Sequence, residues 1–237
     1  MPMKVLVIIP AYNEEEAIRS VVEELRAKAP ACDYVVVNDC STDGTRRVLR
    51  ENGFRYIDVP VNLGIGGGVQ TGYRYAAERG YDVTVQLDGD GQHDPAYIEA
   101  IVGPVARGEC DMCVGSRFIK KEGFQTSFMR RFGIRFLKWL IFINCGARVS
   151  DTTSGFRACS KELTAFFARH YAQDYPEPEA ILSAVLAGFT VAEAPVVMRE
   201  RAGGSSSIKP WHSAYFMFKV SLAIILGRFK TKREKRG

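Results

Sequence analysis

The chain has 237 residues, of which 46% are hydrophobic and 25% are charged, and its formal net charge at pH 7 is +5. This is the composition of an ordinary globular protein, and the length suffices for one large domain, or for a domain with an appendage. So modest a net charge gives no argument for nucleic acid as a partner, and we expect none.

Cysteine usage and the first residues bear on the compartment. The six cysteines are scattered, and a single C-x-x-C pair (Cys110 and Cys113) is not followed by a second pair. We therefore expect reduced, mostly buried thiols rather than a zinc site or a redox pair. The apolar run at residues 5–9 is too short for a secretory signal. Together these observations predict a cytoplasmic protein.

Strand and helix patterns alternate along the first part of the chain. Strands are predicted at residues 5–9, 34–37, 54–59, 83–87 and 112–114. Helices are predicted at residues 14–29, from a cap at Ser41 or Thr42 to about Asn52, at 66–79, and from Pro95 onward. This alternation predicts an α/β protein with a mostly parallel sheet and helices on both faces.

Polar or glycine-rich segments follow all five predicted strands, at residues 10–14, 38–44, 62–68, 88–90 and 115–117. In an open α/β sheet, ligands bind outside the carboxyl ends of the strands. Five such segments at one edge are better explained by a nucleotide-binding crevice than by five unrelated loops.

Two aspartates, Asp88 and Asp90, follow the fourth predicted strand. Because side chains alternate along a strand, we expect both carboxylates to point the same way at the end of this strand. Two such carboxylates would repel each other unless a cation lay between them, and oxygen ligands suit Mg²⁺ or Mn²⁺ bound with a substrate diphosphate. Taken alone, the pair is equally compatible with a solvated Asp/Gly turn.

Several motifs occur in the order and spacing of one enzyme family. They are PAYNEE at 10–15, ND-x-STDGT at 38–45, N-x-G at 62–64, D-x-D-x-QH at 88–93, GSR at 115–117, DTTSGFR at 151–157 and R-x-x-G-x-S at 201–206. With them the chain resembles the family 2 glycosyltransferases of the GT-A fold, and within that family the dolichyl-phosphate mannose synthases and bacterial polyprenyl-phosphate glycosyltransferases. The resemblance covers approximately residues 4–210. It implies metal-dependent, inverting transfer of a sugar from a UDP- or GDP-sugar to a polyprenyl phosphate.

The same resemblance implies roles for individual residues. A base and ribose pocket would be lined by Pro10, Ala11, Tyr12 and Glu14, and Asp39 would accept a hydrogen bond from the base. Asn62 and Gly64 would also bind the nucleotide sugar. Asp88, Asp90 and Gln92 would hold the metal and the diphosphate, which Arg201 would neutralise. The acceptor would be bound by Arg117, Arg131 and Ser206.

The acceptor decides whether a base is needed. A phosphate is already an anionic nucleophile, whereas a saccharide hydroxyl needs a general base, for which Asp151, Glu177 and Glu179 are candidates. Transfer to a saccharide in cell-wall or capsular polysaccharide synthesis is therefore the alternative function. A sugar-1-phosphate nucleotidyltransferase and a non-catalytic nucleotide-sugar-binding module are weaker alternatives.

Two segments have the pattern of helices that lie in a membrane interface. Residues 131–143 place Phe132, Phe136, Trp139 and Ile143 at helical spacing, with Arg131, Arg135 and Lys138 on another face. Residues 211–229 are largely apolar and lead into a basic tail. Packing on the core or in an oligomer interface is the alternative for both.

We therefore predict a glycosyltransferase domain at residues 1–210, followed by an interfacial helix and tail at 211–237. The protein would be peripheral on the inner face of the membrane. An integral membrane partner and a homo-oligomer both remain open.

Overall fold

A computed structural model of the chain describes residues 3–120, 128–199 and 221–222, without the side chains of residues 128–132. The strands are β1 (Val5–Ala11), β2 (Asp33–Asn38), β3 (Tyr56–Asp58), β4 (Val83–Gln86), β5 (Met112–Ser116), β6 (Arg157–Ser160) and β7 (Val191–Pro195). The helices are α1 (Ile18–Lys28), α2 (Thr45–Glu51), α3 (Gly64–Glu78), α4 (Ile98–Ala106), α5 (Phe128–Cys145), α6 (Lys161–Arg169) and α7 (Pro176–Ala187).

The described strands form one sheet in the order β3-β2-β1-β4-β6-β5-β7. All neighbouring strands are parallel except β6, which is antiparallel to both β4 and β5. The predicted α/β class and the mostly parallel sheet are confirmed. The predicted strands and helices of the first 115 residues are all present, with shifted ends, whereas β6, β7, α6 and α7 were not predicted.

Both faces of the sheet are buried, as the continuous apolar run of β1 predicts. Leu6 and Ile8 point into a cluster with residues of α3, α6 and α7, whereas Val7 and Ile9 point into a second cluster with residues of α1 and α4. Strand geometry therefore divides one short segment between two hydrophobic layers. The carboxyl ends of β1, β2 and β4 are left at one edge.

Helix α5 contains the segment predicted to be amphipathic. Its buried side chains are Ile134, Leu137, Leu140 and Ile141, and it packs against α7. Of the predicted apolar face, Phe136, Trp139 and Ile143 are exposed, as are Arg135 and Lys138, whereas the side chain of Phe132 lies outside the described residues. The core alternative is thus correct for one face of this helix, and the predicted aromatic face lies outside the core.

Three predicted boundaries need correction. Helix α1 begins at Ile18, because residues 15–17 form a turn before it. Strand β4 ends at Gln86, so Asp88 and Asp90 lie in the loop after the strand and not on one of its faces. Helix α2 begins at Thr45, and neither Ser41 nor Thr42 caps it.

Candidate active site

A cavity of about 330 Å³ opens at the carboxyl edge of the sheet, beside the start of α3. Its volume is at the lower end of the range for small-molecule sites. It is lined by Pro10, Ala11, Tyr12, Glu14, Asp39, Asn62, Gly64, Ile65, Gly68, Asp88, Gly89 and Asp90. The segments after β1, β2, β3 and β4 thus meet at one place, and all the described residues predicted to bind the nucleotide sugar line this cavity.

The loops after β1 and β2 are bound to each other by short polar side chains. The side chain of Asn13 accepts from the backbone N–H of Thr42 at 2.8 Å, and its own N–H donates to Ser41 Oγ at 3.1 Å. Asn13 has φ +57°, a left-handed conformation that asparagine tolerates better than most residues. Ser41 and Thr42 therefore organise the cavity wall and do not cap a helix.

A second reciprocal pair extends this contact. Glu15 accepts from the N–H of Gly44 at 2.8 Å, while the N–H of Glu15 donates to Asp43 at 3.1 Å. Their hydrogen bonds hold the segment that carries Tyr12 and Glu14 against the segment that follows Asp39. Sequence reasoning assigned no role to Asn13, Glu15 or Asp43, although all three lie inside the quoted motifs.

Asp88 is oriented by two neighbours. Gln86 Nε2 donates to Asp88 Oδ1 at 3.1 Å, and the backbone N–H of Asp88 donates to Nδ1 of His93 at 3.1 Å. The imidazole proton then lies on Nε2, which is 3.7 Å from Asp88 Oδ2. His93 is buried and stacks on Phe156, with 5.1 Å between ring centroids, so this support for Asp88 is rigid.

Asp90 lies at the turn that follows. Its Oδ1 accepts from the N–H of Gln92 at 3.0 Å, and Gly91 makes the turn with φ +77°. No cluster of three or more His, Cys, Asp or Glu side chains that could hold a metal occurs within residues 3–120 and 128–199. Magnesium sites commonly use only one or two carboxylates together with substrate phosphates. Asp88 and Asp90 therefore fit Mg²⁺ or Mn²⁺ held jointly with a diphosphate, and the predicted role of Gln92 as a further ligand stays a prediction.

Arg117 and Asp151 form a buried ion pair at the end of β5. Arg117 Nε and Nη2 each donate to one oxygen of Asp151 at 2.7 Å, and Nη2 also donates to Thr153 Oγ1 at 2.9 Å. The backbone N–H of Asp151 donates to Glu193 of β7 at 2.9 Å. Asp151 thus has a structural contact that sequence reasoning missed, since Glu193 belongs to an unpredicted strand. The predicted roles of Arg117 in acceptor binding and of Asp151 as a base stay predictions.

The segment 151–155 connects this ion pair to the cavity. Asp151 binds Arg117 at one end, and Gly155 lies against Asp88 at the other, where an added Cβ would be 2.9 Å from Asp88 Oδ2. The fully buried Arg157 supports the segment by donating to the carbonyl oxygen of Ser154 at 2.7 Å. The motif therefore positions two parts of the site at once.

The other predicted site residues lie elsewhere or outside the described residues. Glu177 and Glu179 are half-buried in the first turn of α7. The side chain of Arg131, the residues Arg201 and Ser206, and nearly all of the predicted helix at 211–229 lie outside the described residues. Within the described part of the chain, no helix combines the length and apolar character needed to cross a bilayer.

Residues 6–167 match the family described as Glycosyl transferase family 2. The chain belongs to this family. As a family member it is a glycosyltransferase, and the resemblance drawn from its motifs is confirmed. The match ends within α6, so it includes the cavity, the ion pair and the segment 151–155.

Relatives of known name extend over most of the chain. The polyprenol monophosphomannose synthase of Mycolicibacterium smegmatis is 29% identical over 97% of this chain and 90% of its own length. The undecaprenyl-phosphate mannosyltransferase of Micrococcus luteus is 29% identical over 87% of this chain and 88% of its own. A UDP-N-acetylglucosamine–dolichyl-phosphate N-acetylglucosaminyltransferase of Methanococcus voltae is 31% identical over 66% of this chain and 69% of its own.

Solved structures confirm the fold. Glucosyl-3-phosphoglycerate synthase from Mycobacterium tuberculosis, in complex with Mn²⁺, UDP-glucose and phosphoglyceric acid, aligns with a TM-score of 0.72. The alignment covers 95% of this chain and 79% of that chain at 21% identity. At this identity the likeness establishes the GT-A architecture alone.

Proposed function

We propose that this protein transfers a sugar, with inversion, from a nucleotide-sugar donor to a polyprenyl phosphate at the cytoplasmic face of a membrane. The observation that carries the proposal is the single cavity that unites Asp39, Asp88 and Asp90, joined through the segment 151–155 to Arg117. The names of the relatives from three genera support a polyprenyl or dolichyl phosphate as the acceptor.

The site has a part that would bind the nucleotide-sugar donor, called the donor half, and a part that would bind the acceptor, called the acceptor half. In the donor half, some cavity residues would bind the base and ribose and others the diphosphate. Asp39 would accept a hydrogen bond from the base, and Pro10, Ala11 and Tyr12 would border the base and ribose. Asp88, Asp90 and Gln92 would hold a divalent cation, which when bound would neutralise charge on the departing diphosphate. Arg201 is proposed to add a positive charge to the same group.

In the acceptor half, the contacts of Arg117 favour a phosphate. Asp151 and Thr153 occupy Nε and Nη2, and no described residue accepts a hydrogen bond from Nη1. A guanidinium held in this way can present Nη1 to an anion without a change of its own position. The carboxylate of Asp151 is already bound on both oxygens, which favours an acceptor that needs no base. Arg131 and Ser206 are proposed to complete this half.

Helix α5 supports the membrane surface as a partner. Its outer face, defined as Arg135, Phe136, Lys138, Trp139, Phe142 and Ile143, is exposed throughout. No acidic residue occurs between positions 128 and 150. Apolar side chains flanked by cations fit an anionic lipid surface, where the aromatic rings would enter the headgroup region.

Transfer itself is tested with labelled UDP- and GDP-sugars and polyprenyl phosphate in detergent, with Mg²⁺ or Mn²⁺ and a chelator control. We expect label in the lipid phase that is lost with chelator. Asp90→Asn should lower the rate at least about a hundredfold, since one proposed charged ligand is lost. Asp82→Asn, a change of the same kind just before the amino end of β4 and outside the cavity lining, is the matched control. Transfer to an added saccharide without any lipid product would contradict the proposal, as would a normal rate for Asp90→Asn.

A further inference from the structure

Gln86, the last residue of β4, is a buried polar residue directly before the loop of Asp88 and Asp90. It is 1% exposed, and its Nε2 donates to Asp88 Oδ1 at 3.1 Å. An ionised carboxylate only accepts hydrogen bonds, so the NH₂ group of Gln86 must face Asp88 and its amide oxygen must face away. The partner of that oxygen then decides how firmly this orientation is fixed.

Tyr171, which follows α6, is the partner of the amide oxygen. Its hydroxyl donates to Gln86 Oε1 in a long hydrogen bond of 3.5 Å, and its buried ring packs edge-on against Phe167 with 5.1 Å between ring centroids. A reversed amide would place its oxygen against the carboxylate of Asp88, so both neighbours favour the same orientation. Tyr171 lies beyond residues 6–167, which match the family.

Gly155 lies directly on the hydrogen bond between Gln86 and Asp88. A Cβ added to Gly155 would be 2.8 Å from Gln86 Nε2, and 2.9 and 3.1 Å from the two carboxylate oxygens of Asp88. The backbone of Gly155 is not left-handed, so these contacts, and not backbone strain, exclude a side chain here. The main chain therefore covers the pair and keeps water away from that side of it.

The hydrogen-bond donor to the Asp88 side chain is neutral, which matters for a cation. Among the described residues no lysine or arginine forms an ion pair with Asp88. A basic side chain would orient this carboxylate and also offset its charge, whereas an amide orients it and leaves the full charge to attract a cation. Such partners behind a metal ligand commonly change metal affinity by about tenfold to a hundredfold.

From these contacts we infer that Gln86 is a positioning residue for the divalent cation. Its amide, oriented by Tyr171 and covered by Gly155, holds Asp88 in the orientation in which this residue binds the metal. The inference rests on the proposed function, in which Asp88 is a metal ligand. It goes further by assigning cation affinity to two side chains, those of Gln86 and Tyr171, that are not part of the cavity lining.

Calorimetry of Mn²⁺ binding to the full chain in the presence of UDP, with a parallel series in GDP, tests the inference. Gln86→Met keeps the length of the side chain but has no amide, and we expect it to bind Mn²⁺ about tenfold to a hundredfold more weakly than the wild type. Thr84→Val is the matched control. Thr84 lies on the same face of β4, is 1% exposed and shares a hydrogen bond of 2.7 Å with Thr164, so this variant also loses a buried hydrogen bond.

The comparison of the two variants separates positioning from stability. We expect both to lower the urea midpoint of unfolding and only Gln86→Met to lower the affinity for Mn²⁺. Unchanged Mn²⁺ affinity in Gln86→Met, or an equal loss in Thr84→Val, would overturn the inference and leave the proposed function intact. Absence of Mn²⁺ binding by the wild type with either nucleotide would instead contradict the proposed metal site itself.

Tyr171→Phe tests the outer part of the same chain of contacts and removes only one hydroxyl. We expect Mn²⁺ to bind about twofold to fivefold more weakly, because the amide of Gln86 loses one of its two partners. In the Gln86→Met background the same change should have no further effect, since no amide is left to orient. Tyr81→Phe, which removes a buried tyrosine hydroxyl that donates to Asp33 at 3.0 Å, is the control and should bind Mn²⁺ as the wild type does. Additive losses in the double variant would contradict the role of Tyr171.

Discussion

The Arg117–Asp151 pair shows how a residue's contribution to folding stability can be distinguished from a contribution to the catalytic rate. Asp151 is fully buried and is bound to Arg117 on both oxygens, with further support from Glu193. Removal of one partner from a buried ion pair leaves an uncompensated charge in a poorly solvated place. The structural role of Asp151 therefore predicts a loss of stability, whereas a role as a general base predicts a loss of rate alone.

We expect Asp151→Asn to lower the free energy of unfolding by about 3–5 kcal/mol, because Arg117 then remains buried without its counter-charge. Urea denaturation measures the change. Glu109→Gln is the matched control, because it breaks an ion pair with Arg107 in which both side chains are more than half exposed. Its cost should be below about 1 kcal/mol. A stability of Asp151→Asn equal to that of the control, with transfer abolished, would contradict the structural role.

Individual site residues were predictable to different degrees. Asp39, Asp88 and the residues after β1 were identified from motif positions, and the structure places them in one cavity. The supporting contacts of Glu193 were not predicted. Glu193 lies 43 and 42 residues along the chain from its partners Ser150 and Asp151, so these contacts depend on which elements meet in space.

At the scale of elements, α5 has one face that is buried against the protein and one face that is exposed. Its buried positions pack on the protein, while its outer face carries exposed rings and cations, with Trp139 56% exposed. Arg148, beyond the end of the helix, lies 5.8 Å from the ring centroid of Phe142 and adds a further cation to this face. This arrangement predicts that apolar and electrostatic contributions to membrane binding can be separated by mutation.

We expect the double variant Arg135→Ala/Lys138→Ala to bind anionic vesicles about tenfold or more weakly than the wild type, since each basic residue contributes about 1 kcal/mol near such a surface. Co-sedimentation at low and high salt measures this, and the difference should shrink at high salt. Arg47→Ala/Arg50→Ala on α2 removes the same charge from another exposed surface. Equal losses in the two double variants would assign the effect to net charge and contradict a role of the α5 outer face.

Secondary structure was predictable where a hydrophobic pattern extended over many residues or was especially regular. The buried strands and amphipathic helices of the first half were found, with ends shifted by a few residues. Strand β6 has four residues and begins only at the last residue of the motif at 151–157, while β7 has only one buried residue of five. Short elements of this kind acquire their structure from their neighbours in the sheet and not from a periodic pattern of their own.

At the scale of the whole molecule, a cluster of charged side chains joins distant parts of the chain. Arg199 donates to both oxygens of Glu24 at 2.9 Å and also binds Asp94, which in turn accepts from Lys28 at 2.8 Å. The hydrogen bond from Arg199 lowers the pKa of Glu24, against a smaller opposing effect of burial. The cluster thus fastens the end of α1 to the loop that follows Asp90.

This cluster predicts a pH dependence of stability. Because the pKa of Glu24 is lowered in the folded protein, its contribution is present above the ordinary glutamate pKa and is lost as the pH falls through the folded value. We expect Glu24→Gln to be less stable than the wild type at pH 7 by about 0.5–1 kcal/mol, since the cluster is partly exposed. The difference should shrink as the pH falls below the ordinary glutamate pKa and through the lower folded value. Urea denaturation at pH 7, 5 and 3 measures it, and a difference that does not change with pH would contradict the assignment.

The position of β6 has a consequence for biosynthesis. This strand lies between β4 and β5, but it follows both of them in the chain, after α5. A nascent polypeptide that has not yet reached residue 157 therefore holds two strand edges that cannot pair with each other, and such edges promote aggregation. The pairing of strands in the sheet can be completed only late in translation. For recombinant expression, fragments intended to isolate the nucleotide-binding half would have to extend through β7 to be free of this hazard.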